Sequence, residues 1–315
     1  MSELRQAFEE YLALRRSLGA RLRGVDSALR KFVTFVESEG SSYITTDLAL
    51  RWAMQSHTKE PATWASRLQM VRGFAVWHSA NDPRTDIPPK GLLPHRYRRK
   101  PPYIYSDGEI QKLLLVARDL PCSTGLRGAT YSTLFGLLAV TGMRLKEALA
   151  LDRDDVDLDE GLLTIRMTKF RKSRLVPIHE STCEMLADYA DDRDRIVRRP
   201  ATAAFFVSQR GTRITQWAAE YTFAKVSRNV GLRAPVKGHR HGHGPRLHDM
   251  RHRFVARTLV DWYRAGIDVE REIPKLATYL GHVHANETYW YLEAVPELLE
   301  LATQRLVKGR KEIDP

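Results

Sequence analysis

Four short segments, spread over about half of this 315-residue chain, carry side chains suited to one kind of chemistry. They are Thr141-Gly142-Met143-Arg144-Leu145-Lys146-Glu147, Thr168-Lys169-Phe170-Arg171-Lys172, His248-Asp249-Met250-Arg251-His252, and Leu280-Gly281-His282 followed by Tyr291. Together they supply two arginines (Arg144, Arg251), a lysine (Lys169), two histidines (His248, His282) and a tyrosine (Tyr291). A phenol with a pKa of about 10 attacks poorly at neutral pH. A pocket of fixed cationic donors stabilises both the phenolate and a pentacoordinate phosphorus, where negative charge develops. The inventory suits the holding of a DNA phosphate while a tyrosine attacks it.

Local spacing assigns some of the parts. Gly142 permits a tight turn just ahead of a helix, which sets Arg144 at the helix start. Glu147 lies three positions on, on the same face, and can orient the guanidinium. Taken alone, this is also the pattern of a surface arginine in a helical ion pair. His248 and Arg251, again three apart, share a helix face. Two arginines on one phosphate make several charge-assisted bonds in a planar geometry that lysine does not copy. His248 reads as an acceptor of the tyrosine proton, and His252 as packing or support behind it. Lys169 and Lys172 compete for one role at a turn, where a hairpin lysine reaches DNA and protonates a leaving 5′ oxygen; otherwise either is a solvated turn residue. Tyr289 and Tyr291 stand about 200° apart around a helix, so only one of them serves a given site.

These strings resemble the tyrosine recombinase (phage integrase) family, and within it the Xer-like site-specific recombinases. Thr141-Gly142-Met143-Arg144-Leu145-Lys146-Glu147 is the most family-specific of them. The resemblance implies that Arg144 contacts the scissile phosphate with Glu147 in support, that Arg251 and His248 complete the clamp, and that His282 adds a further contact. It favours Lys169 over Lys172 by position, although Thr168 and Phe170 stand where the family's hairpin has glycines. The nine positions from His282 to Tyr291 are the family's spacing for the nucleophile, leaving Tyr289 to packing or to a DNA-facing surface. The implied fold is mainly α with a small antiparallel β-sheet, arranged as a two-domain DNA clamp: a helical core-binding domain and a mixed α/β catalytic domain. The implied activity is cleavage and rejoining of a double-stranded DNA recombination site through a 3′-phosphotyrosyl bond and a Holliday junction, by a dimer on each site and a tetramer in the synapse. No cofactor, metal or nucleotide is required, because the phosphotyrosyl bond conserves the energy of the broken diester. A type IB topoisomerase-like nicking-closing enzyme shares the residue set, and a catalytically silent DNA-binding relative would share the fold.

The rest of the chain has to position these groups. Residues 1–82 read as a helical domain: Phe8, Tyr11, Leu12 and Leu14, then Leu29, Phe32, Val33 and Val36, recur at helical spacing. Thr46-Asp47 is a cap for a helix through Leu48 and Trp52, and a last helix runs near Ala62 to Ser79. Residues 83–102 read as a linker, with six prolines between Asn81 and Pro102 and the basic run Arg96-Tyr97-Arg98-Arg99-Lys100. Ser106-Asp107-Gly108-Glu109 is a capping-box sequence that opens a second domain, 103–315. A helix near Ala129–Val140, three short strands between Val156 and Ile178, and helices thereafter complete it. An amphipathic tail, Pro296 to Val307, packs on its own domain or, as the family implies, on a neighbouring copy.

The formal charge of +12 predicts a polyanionic partner. Seventeen lysines and arginines against ten acids in residues 1–100 put over half of that excess in the first domain and linker. Arg96, Arg98, Arg99, Lys100, Arg171 and Lys172 are the expected DNA contacts. Two cysteines without a CxxC pair indicate neither a zinc site nor a disulfide framework. The run Gly238-His239-Arg240-His241-Gly242-His243-Gly244 suggests a basic DNA-facing loop ahead of a metal site. With no apolar signal region and no run long enough to span a bilayer, a cytoplasmic protein is expected.

Overall fold

The computed structural model describes residues 2–20, 22–56, 60–94, 102–166, 173–235, 244–282, 288–291 and 295–313. The chain forms two compact units, Met1–Lys100 and Pro101–Pro315. The fold is mainly helical with one small antiparallel sheet, as the sequence predicts.

The first unit holds α1 (Glu3–Ser17), α2 (Arg23–Ser38), α3 (Thr46–Met54) and α4 (Pro61–His78). Their apolar faces meet around Phe8, Phe32, Val36, Trp52 and Phe74. Ser2 caps α1 by accepting from Arg5 N, and Thr45, not Thr46, caps α3 by accepting from Leu48 N. Trp77 lies inward, with its ring against Phe74 and Tyr11. The early part of the expected linker is laid onto this unit. Thr85 is buried, Leu93 packs on the core, Asp86 accepts from Thr46 N at 3.0 Å, and Arg72 donates to the Pro88 carbonyl. Arg96, Arg98, Arg99 and Lys100 lie outside the described residues.

The second unit opens with α5 (Asp107–Arg118), whose capping box pairs Ser106 with Glu109. α6 (Leu126–Thr141) runs through the core with almost every side chain buried. Gly128 is obligatory in it, because a Cβ there would stand 1.9 Å from the Arg118 carbonyl oxygen. The short α7 (Leu145–Ala150) and a 3-10 turn at Arg153–Asp155 lead to β1 (Val156–Asp157), β2 (Leu162–Ile165) and β3 (Arg174–Pro177), paired antiparallel in that order. α8 (Glu180–Ile196) and α9 (Gln216–Asn229) pack on α6, α5 and α7. α10 (Leu247–Arg264), α11 (Val269–Leu280) and the terminal α12 (Pro296–Ile313) share a second apolar cluster, with Val255, Leu259, Ile273, Tyr291 and Leu298 at its centre. α12 therefore docks on its own unit: Leu298 is buried against α10, Arg264 pairs with Glu297, and Arg305 donates to the Ile267 carbonyl. Among the described residues no helix is long and apolar enough to cross a membrane.

Candidate active site

Two helix ends build the centre of the site. α6 stops at Gly142, whose φ of 61° lies in the left-handed region that favours glycine. Its carbonyl accepts from Arg251 Nη1 at 2.9 Å. α11 stops at Gly281, with a φ of 68°. The last three carbonyls of that end each take a different arginine. Tyr279 O accepts from Arg174 Nε at 2.8 Å, Leu280 O from Arg251 Nη2 at 2.9 Å, and Gly281 O from Arg144 Nη2 at 3.2 Å. The carbonyls at a helix C-terminus lack intrahelical donors and carry partial negative charge, so guanidiniums from β3, α10 and the start of α7 converge there.

Glu147 ties two of these arginines together. Arg144 Nη1 reaches its Oε1 at 2.9 Å, Arg174 Nη2 its Oε2 at 2.8 Å, and the backbone N of Arg144 also donates to Oε2 at 3.0 Å. Burial opposes the charge on Glu147, but the bonds from Arg174 and Arg144 outweigh it and hold the carboxyl below its usual range. Arg144 keeps about a third of its side chain exposed (34%) and so can reach a ligand. Arg251 is buried; burial first, then the nearby Arg144, lowers its pKa to about 10, which leaves it charged at neutral pH.

α10 presents His248 and His252 on one face, one turn apart, with their rings edge to face at 4.8 Å. His248 opens onto solvent, and the protein atoms around it, with Arg251 beside it, lower its pKa. In the sequence His248 reads as the proton acceptor and His252 as packing or support behind it; the structure sets His252 Nδ1 2.6 Å from the Tyr291 hydroxyl. Burial, with His248 next, lowers the pKa of His252 to about 4, so its ring is neutral. Tyr291 is 3% exposed, whereas Tyr289 is 37% exposed and turned away. His282 follows Gly281 directly, and its Nδ1 lies 2.8 Å from Thr288 Oγ1.

The structure thus brings Arg144, Glu147, His248, Arg251, His282 and Tyr291 to one place. Lys169, Arg171 and Lys172 lie outside the described residues, as does most of the His/Gly-rich run, residues 238–243. Three further arginines of the site, Arg174, Arg233 and Arg246, do not stand out in the sequence. The only signal for Arg174 is its place two positions beyond the Thr168–Lys172 segment, three ahead of Pro177. A cleft of about 570 Å³ opens beside Arg144 and His248, and its basic lining includes Lys146, Arg233 and Arg246. Gln216 and Glu220 face it from α9. Among the described residues no group of three or more His, Cys, Asp or Glu side chains is placed to hold a metal ion. The arrangement can grip an anion with fixed guanidiniums and present a phenol hydrogen-bonded to a neutral imidazole.

Residues 107–297 match the phage integrase family. The chain is 49% identical over 310 residues to "Putative integrase/recombinase y4rB" of Sinorhizobium fredii, covering 97% of this chain and 98% of that one. It is 28% identical over 273 residues to the tyrosine recombinase XerD of Neisseria meningitidis serogroup B, covering 86% of each. Among solved structures, the Tn1549 transposon integrase in complex with transposon right end DNA aligns with a TM-score of 0.61 at 16% identity, over 96% of this chain and 99% of that one. The XerH site-specific recombinase in a post-cleavage complex with its difH substrate aligns with a TM-score of 0.58 at 20% identity, over 82% of this chain and 72% of that one. At these identities the likeness to the solved structures is one of fold.

Proposed function

The chain belongs to the phage integrase family of tyrosine recombinases, and from that premise we propose that it is a site-specific DNA recombinase serving the integration, excision or transposition of a mobile element. Tyr291 attacks the scissile phosphate and forms a 3′-phosphotyrosyl bond. Arg144 and Arg251 hold the non-bridging oxygens, and His248 and His282 add donors as charge develops. Lys169 protonates the departing 5′ oxygen. Strands are exchanged one pair at a time through a Holliday junction, by a dimer on each site and a tetramer of the synapsed sites, in the cytoplasm.

The observation that carries this reading is the convergence at the end of α11. Arg144 and Arg251 are fixed there side by side on consecutive carbonyls, and the Tyr291 hydroxyl meets His252, the residue that follows Arg251. The net charge of +12 supports a DNA substrate, and the DNA in the two similar solved complexes points the same way. The integrase and recombinase names of the relatives favour strand exchange over the single-site relaxation of a topoisomerase.

The test is a covalent trap. Purified protein is incubated with fragments of its host DNA carrying random nicks, and the detergent-resistant adducts are isolated and their DNA sequenced. We expect the wild type to form adducts at one recurrent sequence. We expect Tyr291→Phe to form none while still retarding the same DNA in a gel. Adducts that persist in Tyr291→Phe, or a wild type that forms none, would overturn the reading.

A further inference from the structure

The Tyr291 hydroxyl meets His252 Nδ1 at 2.6 Å, and the other ring nitrogen, Nε2, faces Asp249 Oδ1 at 4.0 Å. Hydroxyl and imidazole stand in the relation by which a nucleophile is activated by a base, with a carboxylate near enough to favour the charged ring. We propose, resting on the recombinase reading above, that His252 rather than His248 takes the proton of Tyr291 during attack, and that Asp249 stabilises the imidazolium that forms.

The ring is held for this task. Its side chain is 13% exposed, and it is flanked by the edge of His248 at 4.8 Å and by Trp290 at 5.9 Å between ring centres. The Asp249 carboxylate is itself fixed, accepting from the backbone N of Arg246 at 2.7 Å and from Arg246 Nη2 at 3.2 Å. A neutral imidazole has one acceptor and one donor nitrogen. With the phenol donating to Nδ1, the ring proton sits on Nε2, towards Asp249. His248, by contrast, opens onto the cleft beside Arg144, a placement suited to contact with the phosphate.

The charges around His252 set when it can act. His248, Arg246 and Arg251, all on or capping α10, disfavour a positive ring, and Asp249 favours one. Tyr291 faces it from residues 288–291. The ring is neutral in the free protein and ready to accept. A phosphate diester gripped by Arg144 and Arg251 offsets their positive field, which strengthens the imidazole as a base when substrate is present. In the step itself Tyr291 Oη bonds to phosphorus and its proton moves to Nδ1. The bond from phosphorus to the 5′ oxygen breaks, and that oxygen takes a proton from Lys169. Religation reverses both transfers, with the imidazolium returning its proton to the phenol.

Single-turnover cleavage of a nicked duplex bearing the trapped sequence, followed from acid to neutral pH, tests the proposal. We expect the wild-type rate to rise with pH as the base loses its proton. His252→Ala should cleave about 10²–10⁴-fold more slowly, lose that acid limb, bind DNA normally, and recover part of its rate with added imidazole. Asp249→Asn retains an oxygen for the helix cap and should move the limb to lower pH, because the carboxylate favours the charged ring. His252→Gln fills the same space and serves if the alanine variant does not fold; it too should lose the limb. Wild-type rate and limb in the His252 variants, or loss of the limb in His248→Ala alone, would overturn the assignment. Failure of the wild type to form any adduct sinks the recombinase reading and takes this one with it; an adduct through Tyr291 that ignores His252 sinks this one only.

Discussion

Arg174 opens a strand, yet its guanidinium reaches Glu147 on α7 and the Tyr279 carbonyl at the end of α11. The Arg174 and Glu147 side chains are 12% and 8% exposed, so the pair is nearly out of water. Only the planar fork of arginine satisfies a carboxylate and a carbonyl together. Breaking a buried pair by removing one partner costs about 3–5 kcal/mol, and we expect Arg174→Ala to lose that much in urea unfolding. Arg174→Lys should recover only part of it, because an ammonium cannot span both acceptors. A loss below about 1 kcal/mol in the alanine variant, the range of exposed pairs, would mean that Arg144 alone secures Glu147. Arg144, Glu147, His248 and Arg251 are legible in the sequence because their relations are local, three positions apart on helices. Arg174 is not, because its partners stand 27 and 105 positions away. His252 lies between these cases. Four positions from His248, it shares that face of α10, but only the packing of Val295 and Leu298 against α10 shows that Tyr291 arrives beside it.

Helix ends, more than helix faces, carry the site. Gly142 and Gly281 turn α6 and α11 off in the left-handed region, and their carbonyls hold arginines from other elements. A side chain at Gly142 would meet the Phe254 ring at 2.5 Å, in a conformation that non-glycine residues adopt at a cost of about 1–3 kcal/mol. We expect Gly142→Ala to lower stability by at least that much. We also expect it to reduce cleavage by more than the drop in folded fraction explains, because the carbonyl that positions Arg251 must shift. Denaturant midpoints with an unchanged slope, set beside the adduct yield of the folded protein, separate the two effects; a yield that only follows stability would show that Arg251 finds its place without that carbonyl. Elements of this kind are visible in sequence where their punctuation is chemical. The Ser106–Glu109 capping box lies where it is predicted, and the three short strands fall between Val156 and Ile178 as expected, while residues 167–172, where the turn before the third is expected, lie outside the described residues. The cap of α3 falls one residue before the predicted one, because Thr45 and Thr46 both carry a suitable hydroxyl and only the backbone decides between them. The prolines from Pro83 onward rule out a helix, but they do not reveal that residues 85–93 lie against the first unit.

At the scale of the whole molecule the decisive quantity is charge. In sequence Arg96, Arg98, Arg99 and Lys100 come just before the second unit begins, and the first hundred residues hold over half of the +12 excess. That excess is legible from composition alone; which cations meet DNA is not, since a solvated linker and a phosphate-binding one have the same sequence. If these four residues touch the DNA backbone in the recombinase, each neutralised phosphate releases condensed counterions on binding. Changing all four to glutamine should then weaken binding to every sequence about equally. The slope of log affinity against log salt should become shallower by roughly 0.9 for each phosphate that is no longer neutralised. Removal of base readout would behave differently, relaxing preference at particular positions of the site while leaving the salt slope nearly unchanged. Titrations of the wild type and the quadruple variant, on the trapped site and on unrelated duplex at several salt concentrations, separate the two. An unchanged slope and affinity would make the linker a tether only, and any grip of the first hundred residues on phosphates would have to come from the helical unit itself.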